Sequence, residues 1–183
     1  GAIVRCLTAA KIEYVLIGGI AVSVHGEPRF TADVDLNIIL DKESIDSFLR
    51  HAKKYGFSSV IPDVKEFAKK CGVIPLNFKK GKTIGKFDVI IAENPLEYAA
   101  IKRGTWKKLG SVRVRIISPE DLFIHKIAST RPRDLEDARG ILLRQKGKMS
   151  VTYINDWLKR IDKVDKKSHL GKLFRSLLKE SLS

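Results

Sequence analysis

Apolar positions alternate and cluster along the first two thirds of the chain, then give way to helical spacing. Ile3, Val4 and Leu7 fall on one side of a short helix over Ala2 to Ala10. Tyr14 to Ile17 is a short apolar, β-prone run that stops at Gly18-Gly19, which predicts a strand, with Ile20 to His25 opening a helix straight after the glycines. Val34 to Leu40 is a second strand. Ile45, Phe48, Leu49 and Ala52 then mark a helix, with Asp41 as its expected cap and Gly56 as its end. A shorter helix runs from Asp63 to Cys71, opened by Pro62 and closed by Gly72. Ile74 to Phe78 and Ile84 to Ala92 form a hairpin around "KKGKT". Pro95 to Lys102 is a helix and Val112 to Ile117 a strand.

From Ser118 the pattern is helical. "SPEDL" offers a capping serine, a proline at the first helical position and acids in the first turn. Further helices are predicted around Leu135 to Gln145, Thr152 to Ile161 and Leu170 to Leu182. The expected architecture is α/β of the α+β type: a short mixed sheet flanked by helices over residues 1–117, and a basic helical region over 118–183 packed on it.

Composition sharpens this picture at two points. Among 183 residues, 44% are hydrophobic and 8% aromatic, which fits a folded globular chain and excludes general disorder. The longest apolar runs are too short to span a bilayer, and no secretory leader pattern is visible, so a cytoplasmic location is expected. Cys6 and Cys71 have no partner spacing and fit a reduced compartment without a zinc site. Gly1 stands where an initiator methionine would, so the native start is expected to lie elsewhere.

Charge is uneven. Residues 1–100 carry 14 Lys/Arg against 12 Asp/Glu, whereas residues 101–183 carry 21 against 9. A basic half of that kind fits a polyanionic partner, such as nucleic acid or a triphosphate, or a solvated lysine-rich helical surface.

The chemistry concentrates in "YVLIGGIAVSVHGEPRFTADVDLNIIL". Asp33 and Asp35 are two apart in a strand, so both project from one face while Val34 and Leu36 point the other way. Carboxylates held that close repel unless a cation lies between them, and oxygen ligands on a rigid strand suit Mg²⁺. Asp88, in "IGKFDVIIA", is the only acid between Glu66 and Glu93. It would complete a site for two ions, or else pair with Lys86 or another nearby base. The strand, Gly-Gly turn and helix would present backbone N–H groups to phosphate. No dinucleotide fingerprint or P-loop lysine is present.

"IGG", "TADVDL" and "KFDVI" together resemble the nucleotidyltransferase superfamily typified by DNA polymerase beta, with Gly18, Gly19, Asp33, Asp35 and Asp88 matching its pattern. "RFTADVDL" and "HKIASTRPRDLEDARGIL" are similar to the abortive-infection type toxin nucleotidyltransferases and their small relatives. The resemblance spans roughly Tyr14 to Ile141. It implies Mg²⁺-dependent transfer of an NMP from an NTP to a hydroxyl, with RNA, a tRNA end in particular, as the expected acceptor, a hydroxyl of a partner protein or of the enzyme itself as the other, and an antitoxin protein as partner. A non-catalytic nucleotide- or RNA-binding descendant is the alternative.

The resemblance also implies nucleotide-site roles for Arg29, Thr31, Lys126, Asp134 and Asp137. The residues themselves leave other uses open. Arg29 could contact phosphate or neutralise the aspartates. Lys126 could be a snorkelling surface lysine. Asp134 and Asp137, at i and i+3, could pair with Arg131 or Arg133. Trp106 and Trp157 fit base stacking or plain packing, and His25, His51, His125 and His169 have no metal-ligand spacing.

Overall fold

The computed structural model describes residues 1–129 and 131–182, the side chain of Leu182 aside. Its elements in chain order are α1 (Ala2–Ala9), β1 (Tyr14–Leu16), α2 (Gly18–His25), β2 (Asp33–Ile38), a 3₁₀ turn (Lys42–Ser44), α3 (Ile45–Lys53), β3 (Phe57–Ser59), α4 (Val64–Cys71), β4 (Val73–Lys80), β5 (Thr83–Ile91), α5 (Pro95–Arg103), β6 (Thr105–Leu109), β7 (Val112–Ile116), α6 (Pro119–Ser129), α7 (Pro132–Arg144), α8 (Val151–Val164) and α9 (Leu170–Leu182). They divide into two compact units. The first comprises Gly1–Ile20 and Phe30–Ile117, the second Ala21–Arg29 and Ser118–Ser183.

A seven-stranded mixed sheet in the order β3-β4-β5-β2-β1-β7-β6 organises the first unit. The β1–β7 and β2–β5 pairs are parallel and the others antiparallel. One face is a continuous apolar surface. Leu16 pairs with Leu36, Leu36 with Val89, and Leu16 with Ile116, and all four are at most 5% exposed. Buried residues of α1, α3 and α4, including Leu7, Phe48 and Ala68, complete that core. Full burial of such a side chain stabilises by about 1.5–3 kcal/mol. A one-residue slip would turn the whole row to the other side, so these contacts fix the register and with it the direction of every alternate residue.

The opposite face is covered in part by α5. Gly104 lies so close to Val15 that an added Cβ would sit 2.7 Å from Val15 Cγ2. Asn94 and Glu97 form a reciprocal capping box at the start of α5. At its other end Arg115 donates to the carbonyls of Ile101, Lys102 and Gly104 at 2.9, 3.2 and 3.0 Å.

In the second unit the expected cap is present, since Ser118 Oγ accepts from the Asp121 N–H at 3.1 Å. The same hydroxyl donates to Asp121 Oδ2 at 2.7 Å, and Tyr153 Oη donates to Oδ1 at 2.5 Å, which ties α8 to α6. Phe123 and Phe174 pack in a tilted pair with ring centroids 5.3 Å apart. Residues 21–29 lie on α7: Arg144 donates to the Gly26 carbonyl at 2.7 Å and Gln145 to that of His25 at 2.9 Å.

The architecture is the mixed sheet with flanking and C-terminal helices that the sequence predicts. Three local differences have plain causes. Asp41 makes no capping bond, because the 3₁₀ turn intervenes before α3. Strands β3 and β6 were not expected. They are the two edges of the sheet, and four of the five β6 residues are exposed, so neither has an alternating apolar signature. Gly18 and Gly19 lie inside α2 as its first residues rather than before it.

Candidate active site

The site begins where β1 ends. The Ile17 N–H donates to the Asp35 carbonyl at 2.9 Å, so the chain enters α2 directly beside β2. Gly18 has φ +63°, and an added Cβ would lie 1.8 Å from Asp35 Oδ2. No other residue fits there while the Asp35 carboxylate keeps its position. A Cβ on Gly19 would meet Thr31 Cβ and Oγ1 at 2.8 Å. Thr31 Oγ1 in turn donates to the Asp33 carbonyl at 3.2 Å, so the approach to β2 is tied to its first residue.

Asp35 pairs in register with Asp88, and Asp33 with Lys86, across the parallel β2–β5 ladder. Paired residues share a face, so Asp33, Asp35 and Asp88 project from the same side of the sheet, opposite the apolar core. Strands are spaced about 4.8 Å apart, which places Asp35 and Asp88 as direct neighbours. Asp33 is exposed, while Asp35 and Asp88 are half-buried. Among the described residues neither Asp33 nor Asp88 is ion-paired, so Lys86 does not serve as a partner for Asp88.

Three carboxylates on adjacent rigid strands, with a cradle at Gly18 that any Cβ would fill, are an oxygen-only donor set. That chemistry fits a hard divalent cation such as Mg²⁺. Among the described residues, no group of three or more His, Cys, Asp or Glu is gathered tightly enough to hold an ion as it stands.

Arg29, Lys126, Asp134 and Asp137 belong to the second unit and form a separate cluster. Lys126 is 8% exposed, buried rather than snorkelling. Its Nζ donates to Asp134 Oδ1 at 2.6 Å and lies 2.8 Å from Asp137 Oδ2. Asp134 also accepts from Arg131 Nε at 2.6 Å and from the Ser129 hydroxyl. Asp137 is held by a two-pronged Arg29 guanidinium, Nε to Oδ1 at 2.9 Å and Nη2 to Oδ2 at 3.1 Å. Burial by itself would raise the Asp134 carboxyl, but hydrogen bonds from Lys126, Ser129 and Arg131 outweigh it and hold the group at about 2. Arg133 takes no part in these pairs. Thr130, inside the same segment, lies outside the described residues.

Two features had no sequence signal, the orphaned Asn37 amide and the reach of Tyr153 to Asp121. Asn37 follows Asp33 and Asp35 on the same strand face, is 1% exposed, and neither its amide nitrogen nor its oxygen has a partner. The Ser118–Asp121–Tyr153 chain joins residues more than thirty positions apart. Of the tryptophans, Trp106 is half-exposed with the Arg113 guanidinium 5.3 Å from its ring, and Trp157 packs against Arg160 and Tyr153.

The model of the family described as "Nucleotidyl transferase AbiEii toxin, Type IV TA system" matches residues 3–145. Among curated protein sequences none matches. Among solved structures, an antigenic nucleotidyltransferase-like protein from Paracoccidioides brasiliensis is similar at 20% identity and a TM-score of 0.55, covering 97% of this chain and 89% of that one. The antibiotic-resistance factor ANT(2'')-Ia is similar at 13% identity and a TM-score of 0.54, covering 92% and 94%. At these identities the likeness is one of fold.

Proposed function

The chain belongs to the AbiEii nucleotidyl transferase toxin family, and from that premise we propose a Mg²⁺-dependent enzyme that moves an NMP from an NTP onto a hydroxyl of RNA, with a tRNA end as the natural acceptor. The observation that carries this reading is the in-register Asp35–Asp88 pair with Asp33 on the same sheet face. Bound Mg²⁺ would supply charge neutralisation for the triphosphate and the developing pyrophosphate, with Asp33, Asp35 and Asp88 as its ligands.

The chain's own groups account for the rest. The backbone at Gly18 and Gly19, at the start of α2, receives the phosphates, and the missing side chains let the ligand approach the main chain. Thr31 braces the entry to β2 through its bond to the Asp33 carbonyl. The acceptor oxygen attacks the α-phosphorus, a new P–O bond forms as the bond to pyrophosphate breaks, and the hydroxyl proton passes to Asp88. Catalysis is then chiefly positioning and electrostatics. Lys126 and Arg29 hold Asp134 and Asp137 within the second unit, and three cations against two carboxylates leave that cluster, with Arg131, a net positive charge. The family's description as the toxin of a toxin–antitoxin system supports an antitoxin as its counterpart.

Incubation with each labelled NTP, Mg²⁺ and total RNA tests this reading. Wild-type protein is expected to label RNA and release pyrophosphate, and Asp33→Ala with Asp35→Ala to lower labelling by at least about a hundredfold without loss of fold. Undiminished labelling by the double variant refutes it. RNA affinity indifferent to Mg²⁺, with no NTP binding, identifies a binding protein instead.

A further inference from the structure

The β4–β5 hairpin runs on past the carboxylates. β2 begins at Asp33, which pairs with Lys86, whereas β5 starts three residues earlier at Thr83 and pairs back to Lys80 of β4. At about 3.3 Å per residue the two-stranded ribbon extends roughly 10 Å beyond Asp33. Its Gly81-Lys82 turn has Gly81 at φ +60°.

The ladder decides which side each ribbon residue takes. Asp88 pairs with Pro75, Lys86 with Asn77, and Ile84 with Lys79, so Asn77, Lys79, Ile84 and Lys86 share the face of Asp33, Asp35 and Asp88. All four are exposed, Ile84 at 75%. The other face of the ribbon base is fastened to the core. Phe57, Phe78 and Phe87 form a cluster with ring centroids 5.0, 5.1 and 6.3 Å apart. A two-stranded ribbon packed at its base therefore holds an apolar side chain between lysines, on the carboxylate side and beyond it.

Its charge is uncompensated. Among the described residues, Lys79, Lys80, Lys82 and Lys86 have no ion-pair partner, whereas Lys42, Lys65, Lys69 and Lys102 of the same unit pair with Glu93, Asp46, Glu43 and Glu13. Asp88 is the only acid on either ribbon strand. Cations left without acids beside a cluster of acids fit a ligand that is itself a polyanion.

We propose that this ribbon face, built from Asn77, Lys79, Ile84 and Lys86 with Lys82 at the turn, is the docking surface for the acceptor RNA, gripping the phosphates that precede the terminal nucleoside. The inference rests on the nucleotidyltransferase reading above. RNA satisfies both demands of the geometry in one molecule, because the phosphates lead directly to the hydroxyl that must reach Asp88. An acidic protein meets the charge but lacks that fixed relation.

The test uses Lys79→Ala/Lys82→Ala and, separately, Ile84→Ala, with circular dichroism to verify the fold. Binding of a 5′-labelled single-stranded RNA is measured against salt, alongside NTP titration and NMP transfer. The double variant is expected to bind RNA at least about tenfold more weakly at low salt, with a salt slope shallower by about 1.4, from two lost contacts at roughly 0.7 each. NTP binding is expected to be unchanged. Ile84→Ala is expected to weaken RNA binding severalfold without altering the slope.

RNA affinity and slope equal to wild type in the double variant overturn the proposal, as does wild-type protein that binds an acidic protein but not RNA. Ribbon-dependent RNA binding by a wild type that labels no RNA upholds the docking surface while removing RNA as the acceptor, so the two readings fail separately.

Discussion

The chain holds two sets of acids, and they are handled in opposite ways. In the first unit Asp33 and Asp88 stand on a sheet face with no ion-pair partner among the described residues. In the second, Asp134 and Asp137 are buried at 4% and 6% exposure and are held by Lys126, with Arg131 and Ser129 on one and Arg29 on the other. A carboxylate enclosed by donors has its bonding capacity spent within the fold. One aligned with others and left open keeps that capacity for something that arrives later. The contrast separates residues that hold the fold from residues available for a ligand, although both sets share one resemblance at the level of sequence.

The contrast can be broken at its strongest point by Lys126→Met. Removing the shared cation leaves two buried carboxylates short of a partner, which is expected to cost about 3–5 kcal/mol in denaturant unfolding. A variant as stable as wild type that no longer binds NTP would make Lys126 a ligand contact and dissolve the distinction.

Acid titration gives the next largest effect. The Asp134 carboxyl lies at about 2, below its ordinary value of 3.8, so the folded state binds the proton less readily than the unfolded chain. Its contribution is complete above about pH 4 and is lost as pH falls through 2, a change on the order of 2 kcal/mol. Comparison of unfolding for wild type and Asp134→Asn should show the wild type alone losing this share over that window. Parallel pH curves for the two proteins would contradict it.

The smallest expected effect on stability sharpens the comparison from the other side. Asp88→Asn should change unfolding free energy by no more than about 0.5 kcal/mol, because no partner is lost, while NMP transfer falls by about a hundredfold or more. A large loss of stability would show that Asp88 is bound into the fold after all.

The sequence carried the sheet's centre well and its margins poorly. β1 is an unbroken apolar row and β2 and β5 are apolar rows broken by acids, so hydrophobic patterning alone marks both the strands and the anomaly. β3 and β6 form the edges, where one face or both meet solvent, so their residues obey no alternation. The spacing of Asp33 and Asp35 fixes their common face locally. The alignment of Asp88 with Asp35 needs the parallel pairing of β2 with β5, a property of the whole sheet that no local window contains. Lys126 shows the same limit. Eight and eleven residues separate it from Asp134 and Asp137, and only the turn from α6 to α7 brings them together.

Gly18 shows how an absence can constrain a protein as tightly as any functional group. The hydrogen on its α-carbon occupies space that even the methyl of alanine would take from the Asp35 carboxylate. Any side chain at this position therefore displaces the Asp35 carboxylate, besides having to adopt the left-handed backbone of Gly18. A residue with no side-chain chemistry will look, in any survey of tolerated substitutions, like part of the catalytic apparatus.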